Sequence, residues 1–374
     1  MFEAPIEPPL TKFPDPLPMN WALSHFIEFG VLLFALWVAF HARKQGIRWL
    51  STLLWGAFFG VVTEMLITAS HTNPSDTYYV YGEFVLRYNF FTSDNFRQVP
   101  IWIGVGWGCI VYAATWTAQR LELPRWMRPW AAGVLAVNID FPLDPVANHF
   151  HFWKWYNVEA RSYYDVPFDN YIGWFFIVAA YAAAVPFFFR LYDKVTGNKE
   201  RPGAQHYEPA KWGEFFVPPL AAAAASLFLY IARNQVFRIY KLLPAPTFFH
   251  ILFLLSVIAL VLFARAASRD NPVNWSVLLV PIGFHAFSTI ALCVDSAANM
   301  RLPEPKVDPT LLVAAPAHFL FAIFAFSWPS LEKLFPMPKR QKRGKYLYGP
   351  PPGRPRTAEA LPQTDGSGRK GIAA

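Results

Sequence analysis

The sequence predicts an all-α, polytopic transmembrane bundle of about eight to nine spans, followed by a disordered basic tail. Of its 374 residues, 54% are hydrophobic and only 16% are charged. Soluble domains carry about 25% charged residues, so most of this chain is expected to face lipid rather than water. The composition excludes general disorder, and the two cysteines exclude a disulfide scaffold.

Apolar runs of roughly 20 residues, the length that crosses a bilayer core, give the order of the spans. They lie near 20–42, 48–70, 98–118, 125–145, 170–192, 212–234, 246–268, 273–296 and 309–332. The fourth is interrupted by Asp140, Pro142 and Asp144, and Pro218–Pro219 opens the sixth. Residues 1–19 form a Pro-rich extramembrane lead without the basic region of a signal peptide. Residues 20–335 form the transmembrane domain, and residues 336–374 form the tail.

The distribution of basic residues predicts the orientation. Alternate connections and the tail hold 23 Lys and Arg on one side, and the opposite side holds 10. Basic residues concentrate in the cytoplasm, so we expect the N-terminus outside and the C-terminus inside a bacterial inner membrane. The tail carries +7 of the net charge of +8, with nine basic and two acidic residues. We expect it to contact anionic lipid headgroups, and we expect no nucleic-acid partner.

Two connections on the predicted outer side, residues 71–97 and 138–174, alternate aromatic rings with Asp, Glu, His and Asn. An interfacial aromatic belt accounts for the rings. It does not account for Glu64 within the second span or for Asp140 and Asp144 in the fourth. Ionisable groups at membrane depth are costly, so these three acids are candidate functional groups, although paired structural acids would show the same pattern.

Two patterns in this region are compatible with a metal site. Asp140-x3-Asp144 and Asp165-x3-Asp169 resemble the aspartate motifs by which intramembrane prenyltransferases hold Mg²⁺ and a diphosphate. Pro142 and Pro167 disfavour the regular helix that would place each pair on one face. His149-Phe150-His151 would present two ligands if that stretch were extended. Because ligands are few, we expect no metal and no other cofactor.

The same connections carry a family resemblance. Leu143–Ala147, Phe152–Trp155 and Tyr163–Trp174 resemble motifs of the bacterial and archaeal carotenoid biosynthesis membrane family. That family includes carotenoid 1,2-hydratases and bisanhydrobacterioruberin hydratase. Glu64, Tyr79–Tyr81 and Val99–Tyr112 resemble its earlier spans, so the resemblance covers about residues 48–192. Asp165 stands where the family usually has glycine.

The resemblance implies a lyase that hydrates a terminal C=C bond of an acyclic carotenoid, a lipophilic polyene. Such a reaction needs a proton donor, which must keep its proton at neutral pH, and a group that orients water. We assign proton donation to Asp140 and Asp144, the base to Glu64 or Asp169, and a hydrogen-bonding role to Asn170. Aromatic side chains would bind the polyene and stabilise a cation. The candidates are Tyr79, Tyr81, Trp107, Trp153, Trp155, Tyr164 and Trp174.

Other function classes remain open at this point. One is a different acid–base enzyme on a lipophilic substrate, such as a cyclase, dehydratase, isomerase or prenyltransferase-like enzyme. Another is a non-catalytic subunit of a membrane complex that binds pigment or lipid, in which the acids would be structural. The pigments extracted from cells with and without the gene discriminate these classes, because only an enzyme changes the products.

Overall fold

Helices dominate the regular structure of the chain. The computed structural model describes residues 12–18, 21–121, 123–158, 162–197, 212–240, 244–263, 275–299 and 308–331. The predicted tail, 336–374, and most of the predicted lead, 1–19, lie outside the described residues. The helices are α1 (Trp21–Gln45), α2 (Ile47–Ala69), α3 (Ile101–Arg120), α4 (Arg128–His149), α5 (Phe168–Val195), the four-residue α6 (Trp212–Phe215), α7 (Val217–Tyr240), α8 (Ala245–Phe263), α9 (Trp275–Asn299) and α10 (Pro309–Leu331).

The all-α polytopic membrane bundle is confirmed. Apart from α6, each described helix coincides with one of the predicted apolar runs. Seven of the described helices are long and apolar enough to cross a membrane, namely α1, α2, α3, α5, α7, α9 and α10. Helix α8 contributes a shorter apolar stretch, Ala245–Ala259. The prolines at 218 and 219 lie in the first turn of α7, where a missing N–H costs little.

Helix α4 is enclosed by other helices over most of its length. It is less hydrophobic than the seven helices that are apolar enough to cross a membrane. Every residue from Ala131 to Asn148 is buried, against α3, α5, α8, α9 and α10. The helix continues through Pro142 and Pro145, so the expectation that Pro142 would break it is wrong. Packing on all sides holds the helix although each proline leaves one carbonyl without its helical N–H. A helix surrounded by protein can also keep polar residues.

Small residues allow α2 and α3 to approach closely. A Cβ atom built on Gly104 would lie 2.5 Å from Cβ of Val61, and one built on Gly60 would lie 2.3 Å from Cβ of Trp107. Glycine at these positions is therefore required by the helix spacing, as in other membrane helix pairs. The contact at Gly60 sets the position of Trp107, which matters for the site described below.

The two aromatic and acidic connections meet in a small sheet. Strand β1 (Tyr78–Tyr81) pairs antiparallel with β4 (Trp153–Tyr156), with Tyr79 opposite Trp155 and Tyr81 opposite Trp153. A second ladder joins β2 (Arg87–Tyr88) to β3 (Val99–Pro100). Both connections thus lie at the same end of the bundle. Which side of the membrane that end faces stays a prediction, which a topology reporter on the C-terminus would test.

Candidate functional site

A cavity lies within the bundle, next to the β1–β4 ladder, and it is partly open to the outside. Its polar lining consists of Glu64 from α2, Asp144 from α4 and Asn170 from α5. The rest of its wall is apolar or aromatic, formed by Tyr79, Tyr81, Trp102, Ile103, Gly106, Trp107, Ile110, Leu143, Trp153, Trp155, Trp174 and Phe284. A largely apolar cavity with a few convergent polar groups is the usual form of a small-molecule site.

Glu64 is buried and surrounded by neutral donors. Its Oε2 accepts hydrogen bonds from the hydroxyls of Tyr79 and Tyr81, the latter at 3.0 Å. Its Oε1 accepts one from Nε1 of Trp107 at 3.0 Å. Three donors offset the desolvation of a buried carboxyl group and hold it in one orientation.

The two tyrosines that bind Glu64 stay protonated. Burial and then the charge of Glu64 raise the pKa of Tyr79 and of Tyr81 well above the ordinary value of 10. Both phenols therefore act as donors throughout the physiological pH range. Strand alternation explains why they act together, because residues two apart on β1 point to the same face.

Asp140 and Asp144 form a second acidic group one helical turn apart on α4. Nδ2 of Asn170 donates to Oδ2 of Asp140 at 3.1 Å and also to Asp144. The Trp153 side chain also interacts with Asp144, and the two carboxyl groups interact with each other. Oδ1 of Asp140 is buried and has no hydrogen-bond partner among the described residues. Of the residues that the structure describes, no Lys or Arg lines the cavity.

Aromatic rings cover the remaining wall in defined pairs. Trp107 and Trp174 stack with centroids 3.9 Å apart and planes 17° apart. Tyr79 lies against Trp155 at 4.6 Å, and Tyr81 meets Trp153 edge-on at 5.9 Å. The last two pairs follow from the register of β1 and β4, which joins segments over seventy residues apart in the chain.

Most residues proposed from the sequence converge here. The cavity is lined by Glu64, Tyr79, Tyr81, Trp107, Asp144, Trp153, Trp155, Asn170 and Trp174, and Asp140 adjoins it through Asn170. Asp169 and Tyr164 are not brought to it. Asp169 is exposed in the first turn of α5, and the hydroxyl of Tyr164 lies 2.7 Å from Oγ1 of Thr310. Because successive helical residues differ by about 100° in direction, Asn170 faces inward while Asp169 does not.

Several lining residues were not proposed from the sequence. Trp102 is an aromatic residue at the start of a span. It lies in the same stretch, Val99–Tyr112, as Trp107, so the sequence could have indicated it as well. Ile103, Ile110 and Leu143 look like ordinary apolar span residues, and no local signal separates them from lipid-facing ones. Phe284 comes from α9, far along the chain, and only the packing of α9 on α3 brings it to the cavity.

The His149–His151 pair and the Asp165–Asp169 pair do not form the metal patterns envisaged from the sequence. His149 ends α4 and His151 has a left-handed φ of 60°, so this stretch is not the extended strand that two adjacent ligands require. Nε2 of His149 instead lies 2.9 Å from Oδ2 of Asp295. Asp165 lies in a turn with φ 60°, before the helix that carries Asp169. Within the described ranges, no three His, Cys, Asp or Glu residues are grouped as a metal site.

Comparison with known proteins identifies the family. The family described as "Carotenoid biosynthesis protein" matches residues 24–232, which is more than half of the chain and extends beyond the predicted 48–192 at both ends. No curated protein and no solved structure gives a match. Every residue that lines the cavity except Phe284 falls within the matched range. The chain therefore belongs to the carotenoid biosynthesis protein family.

Proposed function

We propose that this protein is an integral membrane enzyme that hydrates a terminal C=C bond of an acyclic carotenoid by acid catalysis. The observation that carries the proposal is the cavity itself, in which Asp144, paired with Asp140, and Glu64 line one aromatic space. Membership of a carotenoid biosynthesis family supports a lipophilic polyene as the substrate. The apolar wall suits the hydrocarbon end group of such a molecule.

The acid pair is suited to proton donation. Two carboxyl groups one turn apart, with no Lys or Arg beside them in the described part of the chain, are most stable when they hold a proton between them. In the proposed first step this proton is transferred to the terminal alkene at its less substituted carbon. The π electrons form the new C–H bond, a tertiary cation remains on the neighbouring carbon, and the acid pair gains a negative charge.

The aromatic wall and Glu64 are suited to the second step. The faces of Trp153 and Trp155 would stabilise the cation by about 0.5–2 kcal/mol each. The oxygen of a water molecule then forms the C–O bond, and Glu64 accepts the proton that this oxygen loses. Return of that proton from Glu64 to the acid pair restores the enzyme. One water is consumed for each double bond, and no redox or nucleotide cofactor takes part.

The surroundings of the acids support this division of roles. Glu64 has three neutral donors, which offset part of its desolvation and hold its carboxyl group in one orientation towards a water molecule. The acid pair shares the single amide of Asn170, which aligns the two carboxyl groups. Glu64 is preferred over Asp169 as the base, because Asp169 is exposed and does not line the cavity.

Expression in a host that accumulates lycopene tests the proposal. We expect a new tertiary alcohol whose mass exceeds that of lycopene by one water, detected by liquid chromatography with mass spectrometry. When the cells are grown in H₂¹⁸O, the label should appear in the product. A product of unchanged mass would favour a cyclase or isomerase, which uses the same cation but loses a proton instead. Unchanged pigments bound to the purified protein would favour a binding subunit.

A further inference from the structure

A second group of polar side chains lies between α4, α9 and α10, outside the cavity. Asn138 on α4 and His285 on α9 are both buried, with 1% and 0% of their surface exposed. Nδ2 of Asn138 lies 3.5 Å from Nδ1 of His318 on α10, and the other ring nitrogen of His318 lies 3.4 Å from the hydroxyl of Tyr163. His285 lies beside His318. None of the described residues joined by these contacts is Lys, Arg, Asp or Glu.

Six buried polar atoms without partners lie in and beside this group. They are both ring nitrogens of His285, Oδ1 of Asn138, Oγ1 of Thr289, the hydroxyl of Tyr171 and Oδ1 of Asp140, none of which has a hydrogen-bond partner among the described residues. Leaving a buried donor or acceptor unpaired is costly, and folded proteins rarely do so. Buried water resolves such sites, because one molecule makes about three hydrogen bonds.

A line of side chains connects this group to the acid pair. Tyr171 is fully buried and lies near both Asp140 and Asp144. Its ring is 5.8 Å from that of Tyr163, centroid to centroid, and Tyr163 in turn reaches His318. At the surface, the hydroxyl of Tyr164 contacts Thr310, which bonds to Oδ1 of the exposed Asp308 at 2.6 Å. Polar groups therefore extend from the rim of the bundle to Asp140.

We propose that the space between α4, α9 and α10 is a binding site for water, which we call the α4 water site, and that it supplies the water consumed in the reaction. This role rests on the proposed hydration. A hydrocarbon end group in the aromatic cavity would displace water from it, so the second substrate needs a separate route. The neutral side chains of the site suit water rather than an ion, because they offer donors and acceptors without a charge.

Radiolytic hydroxyl labelling with mass spectrometry tests the site, since radicals formed from bound water modify the side chains beside it. Helix α5 offers a matched pair of fully buried tyrosines. The hydroxyl of Tyr171 has no hydrogen-bond partner among the described residues, whereas the hydroxyl of Tyr181 donates to the carbonyl oxygen of Thr52 at 3.1 Å. In the unmodified, full-length protein we expect Tyr171 to be labelled at least about tenfold faster than Tyr181. Equal, slow labelling of both would overturn the proposal, whether or not the protein hydrates a carotenoid.

Two variants then locate the water. Asn138→Leu and His285→Phe remove polar atoms with little change in volume. Each should lower the labelling of Tyr171 several-fold and slow hydration several-fold, while the amount of polyene retained by the protein stays the same. If Tyr171 is labelled as fast in both variants as in the unmodified protein, the water does not lie between α4, α9 and α10. If labelling falls but the hydration rate is unchanged, the site does not supply the reaction.

Discussion

Two groups of acidic residues lie in the same bundle, and they differ in the side chains that contact their carboxyl groups. Near the start of α2, Arg48 donates to Asp193 of α5 at 2.9 Å and to Glu214 of α6 at 2.9 Å, so one cation lies between two acids. About 24 Å further along α2, Glu64 belongs to a group that includes Asp140 and Asp144. The described lining of the cavity that these acids adjoin contains no Lys or Arg.

We interpret the difference as that between a structural group and the proposed catalytic group. The Arg48 group ties three helices together, and its one cation offsets part of the charge of the two acids. Among the described residues, the hydrogen bonds to the cavity acids come from neutral phenol, indole and amide groups, which orient the carboxyl groups. We infer that acids without a cation are retained here for chemistry, at a cost in folding stability.

The largest expected effect comes from removing the shared proton. Asp144→Asn keeps the volume of the side chain, and we expect hydration to fall by about 10²–10⁴-fold, the range typical of a lost general acid. Expression and polyene retention should stay close to normal. Product analysis in the lycopene host measures the loss. Asp169→Asn, at the exposed position next to Asn170, is the matched control and should hydrate normally; if both variants are equally active, the acid lies elsewhere.

A loss of about 10²-fold is expected for Glu64→Gln. The amide keeps the shape of the side chain but cannot take the proton from water. Its oxygen can still accept from the two tyrosines, whereas its NH2 group cannot accept from Trp107. Because the pKa values of Tyr79 and Tyr81 lie well above 10, neither phenol should replace it as a base at neutral pH. Rates measured at saturating polyene test this. Normal turnover in Glu64→Gln would show that Glu64 has a structural role, as the Arg48 group has, and that it is not the base.

The Arg48 group should affect stability instead of chemistry. Arg48→Met leaves Asp193 and Glu214 without their cation, and we expect a loss of about 1–3 kcal/mol in unfolding free energy, between the values for surface and buried ion pairs. Arg48→Lys, which keeps the charge, should lose less. Thermal unfolding in detergent measures both variants. A variant that unfolds normally but hydrates poorly would show that this group also serves the reaction.

The smallest expected effect is that of a chelator. If the acids of the cavity act without a cation, EDTA should leave the hydration rate of purified protein unchanged within about twofold, since no metal takes part in the proposed steps. The measurement compares rates before and after dialysis against EDTA. Loss of activity with EDTA and recovery with Mg²⁺ would place a cation between the acids, and would favour the prenyltransferase-like alternative for Asp140 and Asp144.

Local sequence properties were sufficient for the spans and for much of the site. Hydropathy over about 20 residues depends only on neighbours in the chain, so the runs predict the described helices closely. The i, i+4 spacing of Asp140 and Asp144 predicts one helical face, provided that the helix continues. The position of Glu64 within a span was also sufficient to make it a candidate functional group, although its hydrogen-bond partners were not known.

Tertiary structure decided which residues share the site. Whether Pro142 interrupts α4 depends on the five helices packed around it, and a hydropathy scan cannot see them. Pairing of β1 with β4 brings Tyr79 to Trp155, and packing of α9 adds Phe284. The start of α5 at Phe168, after Pro167, turns Asn170 inward and leaves Asp169 exposed. These outcomes depend on contacts between distant segments, whereas hydropathy and periodicity report only on residues that are close in the chain.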